Sequence, residues 1–327
     1  MTAVPIRVAL DRIANPGRVD PLLAVAGTLA WAGFAAVTRY VPDREPLAFG
    51  AFTAGAGLLV AVIWATSCLA GSARPRVKRL AAWCYGAGLW LLVWEIVTAK
   101  TQLLAPPYFA APQQILGRMW TDRVILSESL GNSLLLLMAG FVVGLTAGLI
   151  TGVVIGWFQA ANYWVHPILV FLGPVPSLAW VPIIFVLFPT AYSGAVFLIA
   201  FSVWFPITVL TRAGVLGVPR SYFDVAQTLG ARGWFLVLRV SLPAALPSIF
   251  TGAFMALGAS FVSLTVAENF GVNSGLGWYL NWKKGWGDFP AVYAGIVVLV
   301  VVCGVLLTIL FRVRNWVLRW EKELTRW

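Results

Sequence analysis

The sequence predicts an all-α protein whose helices form a bundle inside a membrane, and three observations lead to this fold class. Of the 327 residues, 60% are hydrophobic and only 11% are charged, which is more apolar surface than a water-soluble fold can bury. The apolar residues are collected in runs long enough to supply the roughly 20 helical residues that cross a bilayer. These runs are apolar on all sides, without the alternation of a membrane β-barrel strand.

Eight apolar runs qualify as membrane-spanning helices. They lie near residues 22–41, 48–70, 80–98, 130–157, 165–188, 193–210, 249–270 and 291–311. A basic segment at 74–79 separates the first two runs from the other six. The predicted parts are a cytoplasmic tail with two additional helices (1–79), a six-helix core (80–312) and an amphipathic cytoplasmic tail (313–327). Trp and Leu recur at helical spacing in this last tail, which we expect to lie on the lipid headgroups.

The distribution of basic residues predicts the orientation. If both termini are cytoplasmic, sixteen of the 23 Lys and Arg residues fall in cytoplasmic segments and seven fall outside. Cytoplasmic segments of membrane proteins carry this excess of Lys and Arg, so we expect a multi-pass protein of the bacterial inner membrane with both termini inside. The same bias explains the net charge of +11 without nucleic acid, which would need a basic groove interleaved with aromatic residues.

The fourth predicted span carries glycines at a constant spacing of four, which places them on one helix face. They are Gly140, Gly144, Gly148, Gly152 and Gly156. A stripe without side chains lets another helix backbone approach closely. Two interpretations stay open: tight helix packing inside one subunit, or a helix that slides along moving neighbours.

The fifth predicted span is rich in proline, which removes backbone donors and disfavours regular helix before it. We expect a kinked or partly unwound segment, which is tolerated at membrane depth only inside protein or along a watery cavity. Its candidate pathway residues are Pro174, Pro176, Ser177 and Trp180.

The seventh predicted span carries polar residues that are also candidates for a hydrated route. Ser260 and Ser263 precede Glu268 on this span, and carboxylates within membranes usually face a cavity or a partner. Helical Ser residues also bond their own backbone, and Glu268 falls near the outer end of its helix. Both interpretations stay open for these three residues.

The segment between the sixth and seventh spans, 218–247, is too long and too apolar for a passive linker. A short helix is predicted over 222–229 and ends at Gly230, and a second is predicted over 234–240. Pro243 is expected to break the chain before the next span. The predicted orientation places this segment in the cytoplasm.

Residues of this segment match the spacing of a known signature: E-A-A, three residues, G, nine residues, I, one residue, L-P. The matching positions are Asp224, Val225, Ala226, Gly230, Val240, Leu242 and Pro243. With the stretches PVPSLAWVPIIFVLF, LPAALPSIFTG and VAENFGVNSGLGWYL, the chain from about 89 to 312 resembles binding-protein-dependent ABC transporter permeases of the nitrate/sulfonate/taurine/bicarbonate branch. Asp for Glu, Val for the first Ala and Val for Ile are conservative departures.

The resemblance implies a type I ABC importer permease that carries a small oxyanion or organic sulfonate, such as nitrate, a sulfonate, taurine or bicarbonate. Its cytoplasmic helix would dock on separate ABC ATPase subunits. Asp224 would offer a charge to them, Ala226 and Gly230 would permit close packing, and Leu242 with Pro243 would set the angle at which the segment rejoins the membrane. The other implied partners are a periplasmic or lipid-anchored solute-binding protein and a second permease copy, as a homodimer.

No catalytic residue, metal ligand or cofactor is predicted for this chain. It lacks a GxxxxGK[ST] phosphate loop, so ATP and Mg²⁺ would be bound by the partner ATPase. An intramembrane enzyme would need a nucleophile with a base or a set of metal ligands, and His166 is the single histidine. A secondary, ion-coupled transporter is the alternative, but inverted repeats and an ionisable pair at mid-membrane are not evident.

Overall fold

The computed structural model describes residues 21–41, 50–69, 75–104, 107–173 and 175–320, and within these ranges every regular element is a helix. The chain divides into two compact units. The first consists of Met1–Arg123 with Lys283–Ala294, and the second of Val124–Trp282 with Gly295–Trp327. The all-α prediction is therefore confirmed for the described part of the chain.

The described part of the first unit begins with helices of 20, 20 and 21 residues: α1 (Pro21–Tyr40), α2 (Gly50–Leu69) and α3 (Pro75–Glu95). A π-helical turn, Ile96–Lys100, extends α3, and α4 (Pro112–Thr121) follows. Because Pro75 occupies the first turn of α3, where its missing N–H has no helical partner to lose, most of the basic segment predicted at 74–79 is helical.

Helix α1 packs against both α2 and α3. The indole Nε1 of Trp31 donates to the carbonyl of Cys84 at 2.9 Å. Near the end of α3, Gln113 donates to buried Glu95 at 2.6 Å, and Lys100 Nζ donates to the carbonyl of Val41 at 2.6 Å. The first additional helix, α1, is thus held to α3 by hydrogen bonds as well as by packing, and α2 packs against α1.

The second unit holds most of the long helices. These are α5 (Arg123–Trp157), α6 (Gln159–Leu172), α7 (Val181–Leu187), α8 (Ala191–Leu216), α9 (Arg220–Thr228), α10 (Trp234–Leu236), α11 (Leu242–Ala267), α12 (Leu276–Gly285) and α13 (Phe289–Val317). Helices α5, α12 and α13 each have one end in the first unit. The core of the second unit is built from α5, α8 and α11, with Leu136, Leu198, Ile199, Ile207, Ala256 and Leu264 fully or almost fully buried.

Four helical stretches among the described residues are long and apolar enough to cross a membrane: α5, α8, Trp234–Val272 and α13. The fifth predicted span is broken into α6 and the stretch Ser177–Leu187, which meet at 90°. Helices α1, α2 and α3 coincide with the first three predicted spans. The total of eight spans stays a prediction.

The break predicted at Pro243 is wrong. Helix α10 passes through a π-helical turn, Val237–Ser241, directly into α11. Pro243 lies in the first turn of α11, and in the wide turn before it the amide of Leu242 bonds the carbonyl of Val237, five residues back. Such a π-helical turn shifts the backbone ladder by one residue, so the proline is accommodated without ending the helix.

Parts of both predicted tails lie beyond the described residues. Residues 1–20 and 321–327 lie outside them, and so does Pro174. Helix α13 continues to Val317, so the first part of the predicted amphipathic tail extends the last span as a helix.

Candidate functional site

A short helix, α9, is held on the surface of the second unit by a defined C-terminal turn. Gly230 adopts φ +87°, a left-handed conformation that glycine reaches without steric cost. Its amide bonds the carbonyl of Gln227 and the amide of Ala231 bonds the carbonyl of Ala226, both at 2.9 Å. This pair of bonds forms a Schellman motif, so two residues of the signature, Ala226 and Gly230, together end the helix.

Aromatic contacts anchor this surface element to the end of α5. The rings of Trp157 and Phe223 meet edge to face with centroids 5.8 Å apart, and those of Phe158 and Trp234 meet in the same way at 6.0 Å. Edge-to-face pairs of this kind stabilise packing beyond their buried area. Both α9 and α10 are therefore fixed to the same helix end.

One face of α9 is apolar and uncovered. Tyr222, Val225 and Leu229 are 53%, 62% and 84% exposed, and residues three and four apart lie on one side of a helix. Asp224 is exposed as well, on the opposite side of the same helix. A contiguous exposed apolar face on a short, otherwise polar helix is typical of a protein-binding surface.

Leu242 and Pro243 do not share this surface. They lie beyond the π-helical turn at the start of α11 and are partly buried, with Leu242 packed on a cluster formed by Val215, Ala245 and Ile249. The structure therefore separates the signature into an exposed helix and a packed attachment point.

The glycine stripe of α5 lies against α8 along its whole length. A Cβ atom added at Gly140 would lie 2.6 Å from Ile199, at Gly148 2.7 Å from Ile207, and at Gly152 2.6 Å from Thr211. Gly144 and Gly156 face Val203 and Val215 in the same way. Since real Cβ atoms do not approach other atoms so closely, no residue larger than glycine fits here without moving α8.

Hydrogen bonds also cross the α5–α8 contact. The hydroxyl oxygens of Thr151 and Thr208 are 2.8 Å apart, and the indole Nε1 of Trp204 donates to Thr151 at 3.0 Å. Trp204 stacks on Phe201, with ring centroids 6.0 Å apart.

The broken segment between α6 and α7 brings two of the predicted pathway residues into contact. Ser177–Trp180 forms a 3₁₀ turn that follows Pro176. The hydroxyl of Ser177 lies 3.1 Å from that of Ser263 on α11. Trp180 meets Phe201 on α8 edge to face, with ring centroids 6.2 Å apart. The turn therefore lies across the α8–α11 pair.

The other polar residues of α11 have internal partners. Ser260 donates to the carbonyl of Leu257 at 2.7 Å, which is the bonding to its own backbone that the sequence left open. Glu268 is 1% exposed. Its two carboxylate oxygens accept hydrogen bonds from the Ser133 hydroxyl and from the amide of Gly277 at 2.6 Å.

Glu268 and Ser133 together accept hydrogen bonds from the free backbone amides at the start of α12. The Ser133 hydroxyl accepts a bond from the amide of Leu276 at 2.8 Å, and a carboxylate at a helix N-terminus also complements the helix dipole. A side chain at Gly275 or Gly277 would overlap the Glu268 carboxylate. Sequence reasoning missed Ser133, although the polar run SESLGNS at the start of α5 was a signal that this helix end meets polar groups.

No group of three or more His, Cys, Asp or Glu residues is placed to hold a metal ion within the part of the chain that the structure describes.

The family model described as "binding-protein-dependent transport system inner membrane component" matches residues 123–320. The chain belongs to this family. The match starts at the first residue of α5 and contains the surface helix α9, the glycine stripe and the broken segment. Helices α1 to α4 lie outside it.

Curated relatives carry the names of transport permeases. The aliphatic sulfonates transport permease protein SsuC of Bacillus subtilis is 33% identical over 163 residues, 50% of this chain and 59% of that protein. The nitrate import permease protein NrtB of Synechococcus elongatus is 24% identical over 217 residues, 63% of this chain and 77% of that protein.

A third relative is the formylaminopyrimidine transport permease protein ThiX of Halalkalibacterium halodurans. It is 28% identical over 239 residues, 71% of this chain and 93% of that protein. The chain spans less than two thirds of the length of some relatives that it matches, 59% for SsuC.

Proposed function

We propose that this chain is the membrane-spanning permease subunit of an ABC importer of the bacterial inner membrane, and that separate ATPase subunits drive it. The observation that carries the proposal is the exposed apolar face of α9, formed by Tyr222, Val225 and Leu229, inside the region that matches the family. A surface of this kind favours a protein partner, because removing apolar side chains from water lowers the free energy.

The anchoring contacts supply a route for mechanical coupling. An ATPase that moves α9 would pull on the end of α5 through Phe223–Trp157 and Trp234–Phe158. It would also pull on α11, because Trp234–Val272 is helical throughout. Asp224 would offer its charge to the partner. ATP and Mg²⁺ would be bound by that partner, and this chain would not be an enzyme.

The assembly would follow the family pattern. Two copies of this chain would form the permease, a periplasmic or lipid-anchored binding protein would deliver the solute, and both termini would be cytoplasmic. Residues 80–312 would form the permease core, and the N-terminal pair of helices would be an addition to it.

The relatives suggest the solute class. SsuC and NrtB are named for aliphatic sulfonates and nitrate, which favours a small oxyanion or organic sulfonate. ThiX is named for a formylaminopyrimidine and aligns over 93% of its own length, which makes a neutral heterocycle the second candidate.

A charge placed on the apolar face of α9 tests the proposal. Leu229→Asp would force a carboxylate into an apolar contact, which is strongly unfavourable without a partner charge. We expect at least a tenfold loss of co-purifying ABC ATPase and of ATP-dependent solute uptake in proteoliposomes. Leu229→Met keeps this face apolar at a similar side-chain volume. It is the matched control and should leave both near the wild-type level.

Two results would contradict the importer function. One is unchanged ATPase binding in Leu229→Asp. The other is solute uptake by the wild-type chain that follows a proton or sodium gradient and needs no ATP, which would favour the ion-coupled transporter instead.

A further inference from the structure

Three buried side-chain donors in the second unit have no partner among the described residues, the indole of Trp180 and the hydroxyls of Thr211 and Ser241. The indole Nε1 of Trp180 is buried without a hydrogen bond. By contrast, the indoles of Trp31, Trp94 and Trp204 donate to the carbonyl of Cys84, the carbonyl of Ala110 and the hydroxyl of Thr151. Because a buried N–H left unpaired is costly, the indole N–H of Trp180 would gain from donating to an oxygen atom of a ligand.

Ser177 belongs to the same turn as Trp180, and a second hydroxyl nearby, that of Ser263, lies on α11. Ser177 and Trp180 are the first and last residues of the 3₁₀ turn, and residues three apart lie above one another in a 3₁₀ helix. The hydroxyl of Ser177 is also 3.1 Å from that of fully buried Ser263. The residues that carry this indole N–H and these two hydroxyls thus lie where the broken segment crosses α8 and α11.

The chemistry of these groups selects a class of ligand. An indole N–H can only donate, and hydroxyls can donate as well as accept, so the missing partner carries lone pairs. All three groups are neutral. Neutral donors can replace part of the hydration of an anion, but they bind it less tightly than a fixed Lys or Arg would. This suits a transport pathway, because a solute in transit must be released as well as bound.

The position of the turn agrees with a place on the solute route. Ser177 falls at the middle of the fifth predicted span, 165–188, where the backbone turns by 90°. Non-helical backbone at such depth is tolerated where it is buried in protein or lines a watery cavity.

We propose that Trp180, Ser177 and Ser263 form a binding station of neutral donors for the oxygens of a small oxyanion or sulfonate during its passage through the permease. The inference rests on the proposed function and deepens it, because it assigns the solute class to named residues of this chain.

Spectroscopy of the full-length protein tests the station directly. In protein labelled with ¹⁵N at the indole nitrogens, the Trp180 resonance is assigned by its loss in Trp180→Phe. Titration with nitrate or methanesulfonate should shift this resonance saturably. Urea, a planar but neutral molecule of similar size to nitrate, should shift it much less at the same concentration, because hydrogen bonds to an uncharged oxygen are weaker than those to an anion. Ser177→Ala and Ser263→Ala should each weaken the anion titration roughly fivefold, as expected for the loss of one hydrogen bond.

Trp204 is the internal control, because its indole is already bonded to Thr151 and its resonance should stay in place. A Trp180 resonance that exchanges with water but ignores both anions would overturn the station. So would equal shifts by urea and nitrate.

Transport separates this inference from the importer function. In proteoliposomes with the ATPase and binding protein, Trp180→Phe should lower ATP-dependent uptake of the anionic probe at least fivefold while ATPase binding is retained, and Trp204→Phe should not. Full uptake in Trp180→Phe would reject the station and leave the importer function standing. Wild-type uptake without ATP would reject the importer function itself.

Discussion

At the residue scale, Gly230 shows how a signature position can be required by backbone geometry before any partner is considered. Its φ of +87° and the hydrogen bonds around it end α9 and turn the chain toward α10. Nothing lies within 4 Å of a Cβ added there, so the constraint is conformational and not steric crowding.

Gly230→Ala is therefore expected to destabilise the turn by about 1–2 kcal/mol, the usual penalty for an L-residue in the left-handed region. The measurement is proteolytic cleavage of the 218–247 segment together with ATPase co-purification, both of which should report a loosened α9. Gly304→Ala in α13, where an added Cβ also meets nothing within 4 Å and the backbone is helical, should behave like the wild type. Equal behaviour of the two variants would contradict the role given to the turn.

Glu268, also at the residue scale, has a residue type that suggests a function different from the one its contacts indicate. A carboxylate in a membrane helix suggests a transport role from residue type alone, yet both of its oxygens accept hydrogen bonds from Ser133 and Gly277. Its partners fix α12 to α5 and α11. The burial of Glu268 is therefore explained by its role in capping α12, and no contact with a solute is needed to explain it.

At the element scale, the glycine stripe joins α5 to α8 at a distance that side chains would prevent. Membrane helices gain little from hydrophobicity against one another, because lipid is equally apolar, so close backbone packing is the main source of their association. Of the two interpretations left open by the sequence, the packing one accounts for the contacts of all five glycines.

Gly148→Ala places a methyl group 2.7 Å from Ile207 and should destabilise the protein by about 1–3 kcal/mol, as overpacking does. Gly131→Ala on the same helix meets nothing within 4 Å and is the matched control. Thermal unfolding of the purified protein in detergent should show a clearly lower midpoint for Gly148→Ala alone. If the stripe instead served mainly for sliding of α5 along α8 during transport, Gly148→Ala would keep the wild-type unfolding midpoint and lose solute uptake.

At the scale of the whole molecule, the arrangement of spans determines which surface each partner reaches. The positive-inside bias predicts that α9 faces the cytoplasm, and the proposed ATPase contact depends on this orientation.

Cysteine labelling in intact spheroplasts tests the orientation. In a background with Cys68, Cys84 and Cys303 replaced by serine, a cysteine at exposed Leu229 should react with a membrane-impermeant maleimide only after the membrane is opened. A cysteine at exposed Trp286, in the segment predicted outside, should react at once. Labelling of the Leu229 cysteine in sealed cells would place α9 on the wrong side and remove the basis of the proposed coupling.

Elements that depend on local pattern were predictable from the sequence. The apolar runs indicated helices at the right places, the signature located α9 and its final Gly230, and the prolines indicated the break before α7. Pro243 was misjudged because a π-helical turn accommodates a proline that an α-helical ladder would not. The number of membrane crossings also stays a prediction, since it depends on the first three helices.

By itself, the sequence determined that this protein lies in lipid, that its helices follow the apolar runs, and that a surface helix ends at Gly230. Only the tertiary structure decided which polar groups meet: Ser177 with Ser263, and Glu268 with Ser133. It also left the Trp180 indole without a partner among the described residues. The physical reason is that hydropathy and backbone preference act along a few neighbouring residues. A hydrogen bond between groups 86 or 135 positions apart depends instead on how whole helices pack.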